Sequence, residues 1–530
     1  MNDAGPRIDY ADPEQCLASI AGLPLTRVAV VYDALAALLA GLRATPPAPT
    51  DYLRVLEAAR TALGFAQEEI AGRYAETALP PYSPEDASLH RVVALWRQTA
   101  HAYMHVAELG ANDPEVQGFL ALICQRSVHY GGRAIREYFR ARREIDPGLW
   151  SELHAWFGKA EEWGISEVEV SEPQDEERRR QSCAQAYVEV LLTDLGDPYA
   201  RSPREFEWLT RWSRRFAPYA ELLPPDETTA GRTYVVEPSR DRGAIPLGVA
   251  GTNRGLRRLE VARLAAEIHE VRRQMKKGVA PAELGLGEDC TAQAASRMLN
   301  ALFGPWCVAA KARRFLRRKG AGTVRLCYGF ESVHFYLSGR EFVQPERARY
   351  YSRGEFEAIA TFRFQVDPTQ ALQVRVAQVG YTVETWAVAD ESADGFRLLR
   401  FGTGVRIEHG QLLGLRAGEE GPLLLCRVSW LMYARAGALM AGIHVLPGAP
   451  QAVAARLTGP SASPSGGFSR AFLLPPMPAL DEPACLVLPK GWFQPGRVVD
   501  VEAERPFEAK LLRLRHYGGN FDRVSYSVLR

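Results

Sequence analysis

The sequence predicts an α+β chain of several domains, with an all-α N-terminal part followed by antiparallel β structure in two units. Three observations carry this. Up to about Tyr219, apolar residues recur at helical spacing between capped breaks. After Gly320 they alternate at period two, in short runs with glycine-bearing turns between them. Residues 459–467 read Gly-Pro-Ser-Ala-Ser-Pro-Ser-Gly-Gly, a linker composition that sets off a last small β unit. The 530 residues leave room for roughly three or four domains.

The elements follow in order. From Tyr52, Leu53, Leu56, Ala59, Leu63 and Phe65 approximate one helix face. Ser83 followed by Pro84, Glu85 and Asp86 reads as an N-cap and an acidic first turn, opening a helix with Leu89, Val92, Leu95 and Trp96. Asp113-Pro114-Glu115 opens another helix, and Asp146-Pro147-Gly148 a third. Short loops between such helices favour antiparallel packing, as in a bundle or an α-solenoid, over residues 1–219. Residues 220–310 read as a mixed connecting region. It holds a strand after Thr233, an amphipathic helix over 256–277 with Leu259, Leu264, Ile268 and Val271 inward, and a helix over 290–303. Strands are expected at 323–328, 333–337, 381–389, 395–399, 411–415, 423–432 and 439–446, which suggests a barrel or a sandwich. Further strands near 484–493, 497–503, 507–515 and 523–529 make the last β unit, within residues 459–530.

Composition excludes several functions. Net charge is +1, so no global field steers the chain onto DNA, RNA or an anionic membrane, and any anion site must be local. The most apolar early run, residues 28–42, is interrupted by Asp33 and too short to span a bilayer. With a polar N-terminus, this reads as a cytoplasmic protein without membrane insertion. The eight cysteines form no C-x-x-C pair, which argues against zinc ribbons. His101, His105 and Glu108 share a helix face but lack further ligands, so a packing role is expected and no metal. No nucleophile, histidine and acid stand in a recognisable catalytic order, and the chain is read as no enzyme, without a cofactor.

One constellation remains. Arg313, Arg314, Arg317, Arg318 and Lys319 put five cations in seven residues just before the first strand. Asp390, Ser392 and Gly395 form D-x-S-x-x-G at the end of a later one. In these motifs the chain resembles the PilZ family, which carries R-x-x-x-R ahead of its first barrel strand and D/N-x-S-x-x-G in a later turn. Arg313 with Arg317, or Arg314 with Arg318, matches the first motif. The resemblance spans roughly residues 311–458 and implies a PilZ-like antiparallel barrel, with residues 451–457 as its closing helix. Here the motifs lie farther apart than the family usually has them, so residues 339–380 are read as an insertion. A rival R-x-x-x-R inside it pairs Arg349 with Arg353.

The resemblance implies a ligand, cyclic di-GMP, held by Arg313, Arg314, Arg317, Arg318, Asp390, Ser392 and Gly395. The residue types suit it. Guanidinium forks pair with phosphate oxygens and with the O6/N7 edge of guanine. Asp390 can accept from guanine N–H groups, Ser392 can donate or accept, and Gly395 allows a close approach or a positive φ. The expected function is a receptor that relays the nucleotide to a protein partner through the helical region. The alternative is a scaffold whose degenerate barrel binds no nucleotide.

Overall fold

A computed structural model describes residues 8–174, 179–225, 233–250, 255–308, 318–320, 322–345, 381–418, 421–458 and 467–529. The chain forms two compact units, residues 1–77 with 81–312, and residues 78–80 with 313–530.

The first unit is helical. Its helices are α1 (Pro13–Ala21), α2 (Val28–Ala44), α3 (Pro49–Ala71), α4 (Ser83–Leu109), α5 (Pro114–Gln117), α6 (Leu120–Arg140), α7 (Leu149–Glu162), α8 (Cys183–Leu195), α9 (Pro203–Phe216), α10 (Ala262–Lys276) and α11 (Ala292–Cys307). Proline opens several first turns, where a missing N–H costs nothing. The α4 cap lies one residue earlier than expected: the Glu85 carboxylate accepts from the Tyr82 N–H at 2.7 Å, and Ser83 is already helical. Leu89, Val92, Leu95 and Trp96 enter the main core, while Phe65 is 39% exposed and lies off the inner face. His101 packs as expected, edge-on to Trp156 and 3.5 Å from the Glu152 carboxylate.

Inside this core lies a charge network. Glu172 is fully buried and accepts from Arg60 Nη2 at 2.7 Å and Arg126 Nη1 at 2.8 Å. Arg126 also forks onto Glu57 at 2.8 and 3.0 Å, and Arg60 Nε donates to the Tyr130 hydroxyl. Glu172 comes from the short hairpin β1 (Val170–Ser171) and β2 (Arg180–Gln181), so the network ties that hairpin to α3 and α6.

A second core joins α8 and α9 to α10 and α11. Trp212 and Trp306 are fully buried there, their indole N–H groups donating to the Leu286 and Leu192 carbonyls. A sheet of β3 (Glu221–Leu223), β4 (Tyr234–Val236), β5 (Ile245–Pro246) and β6 (Arg257–Glu260) flanks it in the order β3-β6-β4-β5. The helix expected over 256–277 is therefore shorter. Arg257–Glu260 is a strand paired on both sides, and α10 begins at Ala262. Because Trp208, Trp212 and Phe216 of α9 pack on α10 and α11, a fragment ending near residue 312 is expected to melt cooperatively. One ending at residue 219 uncovers these rings and should bind a hydrophobic dye and melt broadly. Equally sharp circular-dichroism transitions for both fragments would contradict this.

The second unit carries two closed barrels. The first uses β7 (Arg318–Lys319), β8 (Thr323–Tyr328), α12 (Gly329–Ser338), β9 (Val383–Ser392), β10 (Gly395–Phe401), β11 (Leu412–Ala417), β12 (Leu423–Tyr433) and β13 (Ala438–Val445). Strand β9 pairs with both β8 and β10, which closes β8-β9-β10-β13-β12-β11 into a ring, with β7 added beside β9. Trp386, Leu398, Val428, Leu431, Ala441 and Ile443 fill it. Residues 333–337, expected as a strand, belong to α12. Phe330, Val333 and Leu337, spaced by three and four, all pack on the core shared with the second barrel.

The second barrel is β14 (Gln451–Leu457), β15 (Ser469–Leu474), β16 (Cys485–Pro489), β17 (Val498–Glu502), β18 (Phe507–Tyr517) and β19 (Phe521–Val528), closed in the order β14-β15-β16-β19-β18-β17. The closing helix expected at 451–457 is thus strand β14. Val453 and Ala455 alternate into this barrel, with Leu457 packed beside them. The linker-like segment joins β14 to β15; residues 459–466 of it, and residues 346–380 of the expected insertion, lie outside the described residues. Leu412 and Leu425 of the first barrel share a core with Phe472, Cys485 and Phe521 of the second. The Leu412 N–H donates to Asn520 Oδ1 at 2.8 Å, and the Gly519 N–H to the Gly410 carbonyl at 2.7 Å.

Candidate functional site

Of the expected site residues that are described, Asp390, Ser392 and Gly395 fall on the outer face of the first barrel, and Arg318 stands at its edge on β7. Leu398, Ala441 and Ile443 point inward, so by strand alternation Arg397, Gly442 and His444 point outward. The register aligns Lys319, Asp390, Arg397, Gly442 and Trp430 across five strands. Within this row Arg397 Nη2 meets Asp390 Oδ2 at 2.6 Å. Asp390 is largely buried, whereas Arg397 is 43% exposed. Arg318 stands opposite Glu391 and both are exposed. At Gly442 an added Cβ would overlap the Trp430 indole, so the missing side chain is what seats that ring flat on the sheet.

The turn itself is tightly held. Ser392 Oγ lies 2.6 Å from Asp394 Oδ1 and 3.2 Å from the Gly395 carbonyl, and the Val445 N–H donates to the Asp394 carbonyl. Gly395 is required for close approach and not for a positive φ: a Cβ there would lie 2.2 Å from the Ile443 carbonyl oxygen. The next outward row runs Gly395, His444, Arg427, Leu412. Burial, then the nearby Arg427, hold the His444 imidazole below its usual pKa, with Asp394 opposing.

Arg313, Arg314 and Arg317 lie outside the described residues, as do the rival Arg349 and Arg353. The last cations of the first cluster are described, and the fold brings them to the second motif: β7 hydrogen-bonds along β9, so Arg318 and Lys319 sit beside Glu391 and Asp390. Sequence reasoning missed Arg397, Trp430 and His444. Arg397 was within reach, two residues after Gly395 in an alternating strand and so on the same face. Trp430 was not, because its place beside Gly442 depends on a bulge between Val428 and Trp430 that shifts the register.

Three family models match the chain. "Cyclic-di-GMP receptor FimW, N-terminal domain" covers residues 14–226, "Cyclic-di-GMP receptor FimW, middle PilZ domain" residues 233–366, and "FimW C-terminal beta-barrel domain" residues 453–529. The chain belongs to the PilZ family. The cyclic-di-GMP receptor FimW of Pseudomonas aeruginosa is 25% identical over 424 residues, covering 72% of this chain and 68% of that protein. In this PilZ protein the middle match includes the Arg313–Lys319 cluster and stops before the Asp390 turn. The C-terminal match begins inside β14, in agreement with β14 being part of the second barrel.

Proposed function

We propose that this PilZ protein is a cyclic di-GMP receptor whose ligand sits on the outer face of the first barrel, between the basic segment at 313–319 and the Asp390–Gly395 turn. The observation that carries this is the pairing of β7 with β9, which sets Arg318 and Lys319 beside Asp390. A polyanion bound there meets guanidinium and ammonium groups on one side and hydrogen-bonding Asp390 and Ser392 on the other. The FimW receptor named above supports the same ligand. Arg313, Arg314 and Arg317 reach the phosphates or the guanine O6/N7 edge by bidentate bonds. Trp430 offers a flat ring for a purine face. No step of bond making is required, so the protein acts as a non-enzymatic effector without a cofactor, in the cytoplasm, and passes the signal to a protein partner through its helical unit. Among the described residues no helix is long and apolar enough to cross a membrane.

Calorimetric titration of the full chain with cyclic di-GMP tests the proposal. Saturable binding is expected, with Arg317→Ala weakening it about 10- to 100-fold, as for a lost charge-assisted contact. Loss only in Arg349→Ala or Arg353→Ala would move the site to the rival motif. Absence of heat at high ligand concentration would favour a second reading, a scaffold. One observation already points that way: Arg397 is committed to Asp390 within the fold.

A further inference from the structure

The C-terminal barrel has no part in the reading above, yet its β18–β19 ladder reaches the same outer face. The His516 ring lies 6.2 Å, centre to centre, from the His444 ring, and His444 is the cross-strand partner of Gly395 in the D-x-S-x-x-G turn. Arg427 pairs with His444 on one side, and Arg523 pairs with His516 on the other. The two barrels cannot drift apart here, because Phe521 lies in their shared core and Asn520 bonds to Leu412. The cluster is cationic. Glu482 answers Arg523 at 2.9 Å and Arg515 at 3.5 Å, but among the described residues neither His516 Nδ1 nor Arg523 Nε has a hydrogen-bond partner, although both are buried. The Arg523 Nε–H is a buried donor without an acceptor, which is unfavourable, and an anion held beside the cluster offsets it. The field has a visible effect: burial, then Arg427 and Arg523, push His516 down to about 3.

We propose that the C-terminal barrel forms one wall of the nucleotide site, with His516 presented to a phosphodiester oxygen of the ligand held at the Gly395 turn. This rests on the receptor reading and adds to it a role for the second barrel. An imidazole N–H donates to the phosphate, and Arg523 and Arg427 supply the surrounding positive potential. The arrangement also explains why the two barrels share a continuous core: a site with walls on both requires them to be rigidly joined.

The test is titration of the full chain with cyclic di-GMP in wild type, His516→Ala, His516→Gln and Asp390→Ala, with ligand-free melting temperatures for all four. Loss of at least fivefold in affinity is expected for His516→Ala, with partial recovery in His516→Gln, which keeps an N–H donor. Should His516→Ala melt well below wild type, His516→Gln against wild type carries the comparison, with a smaller loss expected. Wild-type affinity in both His516 variants, alongside weakened binding in Asp390→Ala, would overturn the wall while leaving the receptor reading intact. A wild-type protein that binds no cyclic di-GMP would remove both.

Discussion

Asp390→Ala is expected to abolish most of the rise in melting temperature that cyclic di-GMP confers on the wild type. Two effects act together. The substitution removes a carboxylate able to accept guanine N–H groups, and it frees the Arg397 guanidinium from the 2.6 Å bond that orients it. A lost acceptor of this kind costs about 1–3 kcal/mol of binding. Binding to the native state alone sets the thermal shift, so the shift must shrink with affinity. If the turn serves only the fold, the cost is a half-exposed cross-strand ion pair, at most about 1 kcal/mol of stability, with equal ligand shifts before and after. Asp390→Asn separates the cases further: it keeps an acceptor and the family accepts Asn there, so binding should survive. Equal ligand-induced shifts in wild type and Asp390→Ala would exclude this turn from the site.

The second large effect is expected in the helical unit. Glu172→Ala should destabilise the helical unit by about 3–5 kcal/mol, read as a fall in the denaturant midpoint at unchanged slope. Arg60 and Arg126 are almost fully buried and both donate to Glu172, so its removal strands two guanidinium groups with Glu57 as their remaining carboxylate. A loss below about 1 kcal/mol would show that water or a side-chain shift compensates the charges. The same network sets an acid limit. Burial would raise the Glu57 pKa, but the hydrogen bond and charge of Arg126, with Arg60 and Tyr103, hold it below its usual range. A carboxylate lowered in the folded state contributes stability that is present above its unfolded pKa, about 4.3, and lost as pH falls through the folded value. Denaturant midpoints should therefore fall below about pH 4; a constant midpoint down to pH 3 would contradict this.

Much of this was legible in the sequence, for local reasons. Helices announce themselves through proline first turns and apolar positions three and four apart, as in α4, and most strands through alternation, as in β12. The errors have separate causes. Residues 333–337 form a short apolar run in which period two and period 3.6 cannot be told apart, whereas the helix expected at 451–457 comes from the PilZ resemblance. Tertiary partners decided them: α12 needs the core shared by the two barrels, and β14 needs β15 and β17. The strand Arg257–Glu260 was absorbed into a helix because its partners β3 and β4 lie far off in sequence.

The candidate site divides in the same way. By itself the sequence determined which chemical groups are available: a dense run of arginines, an aspartate and a serine at turn spacing, and a glycine closing that turn. Those are properties of composition and short-range order, and they survive without coordinates. Only the tertiary structure decided which groups meet. Backbone pairing between β7 and β9 joins motifs some seventy residues apart, and a one-residue bulge aims Trp430 outward. Docking of the second barrel brings His516 to His444. Each depends on strand register, where a shift of one residue turns every side chain to the opposite face, and register is set by contacts across the whole sheet.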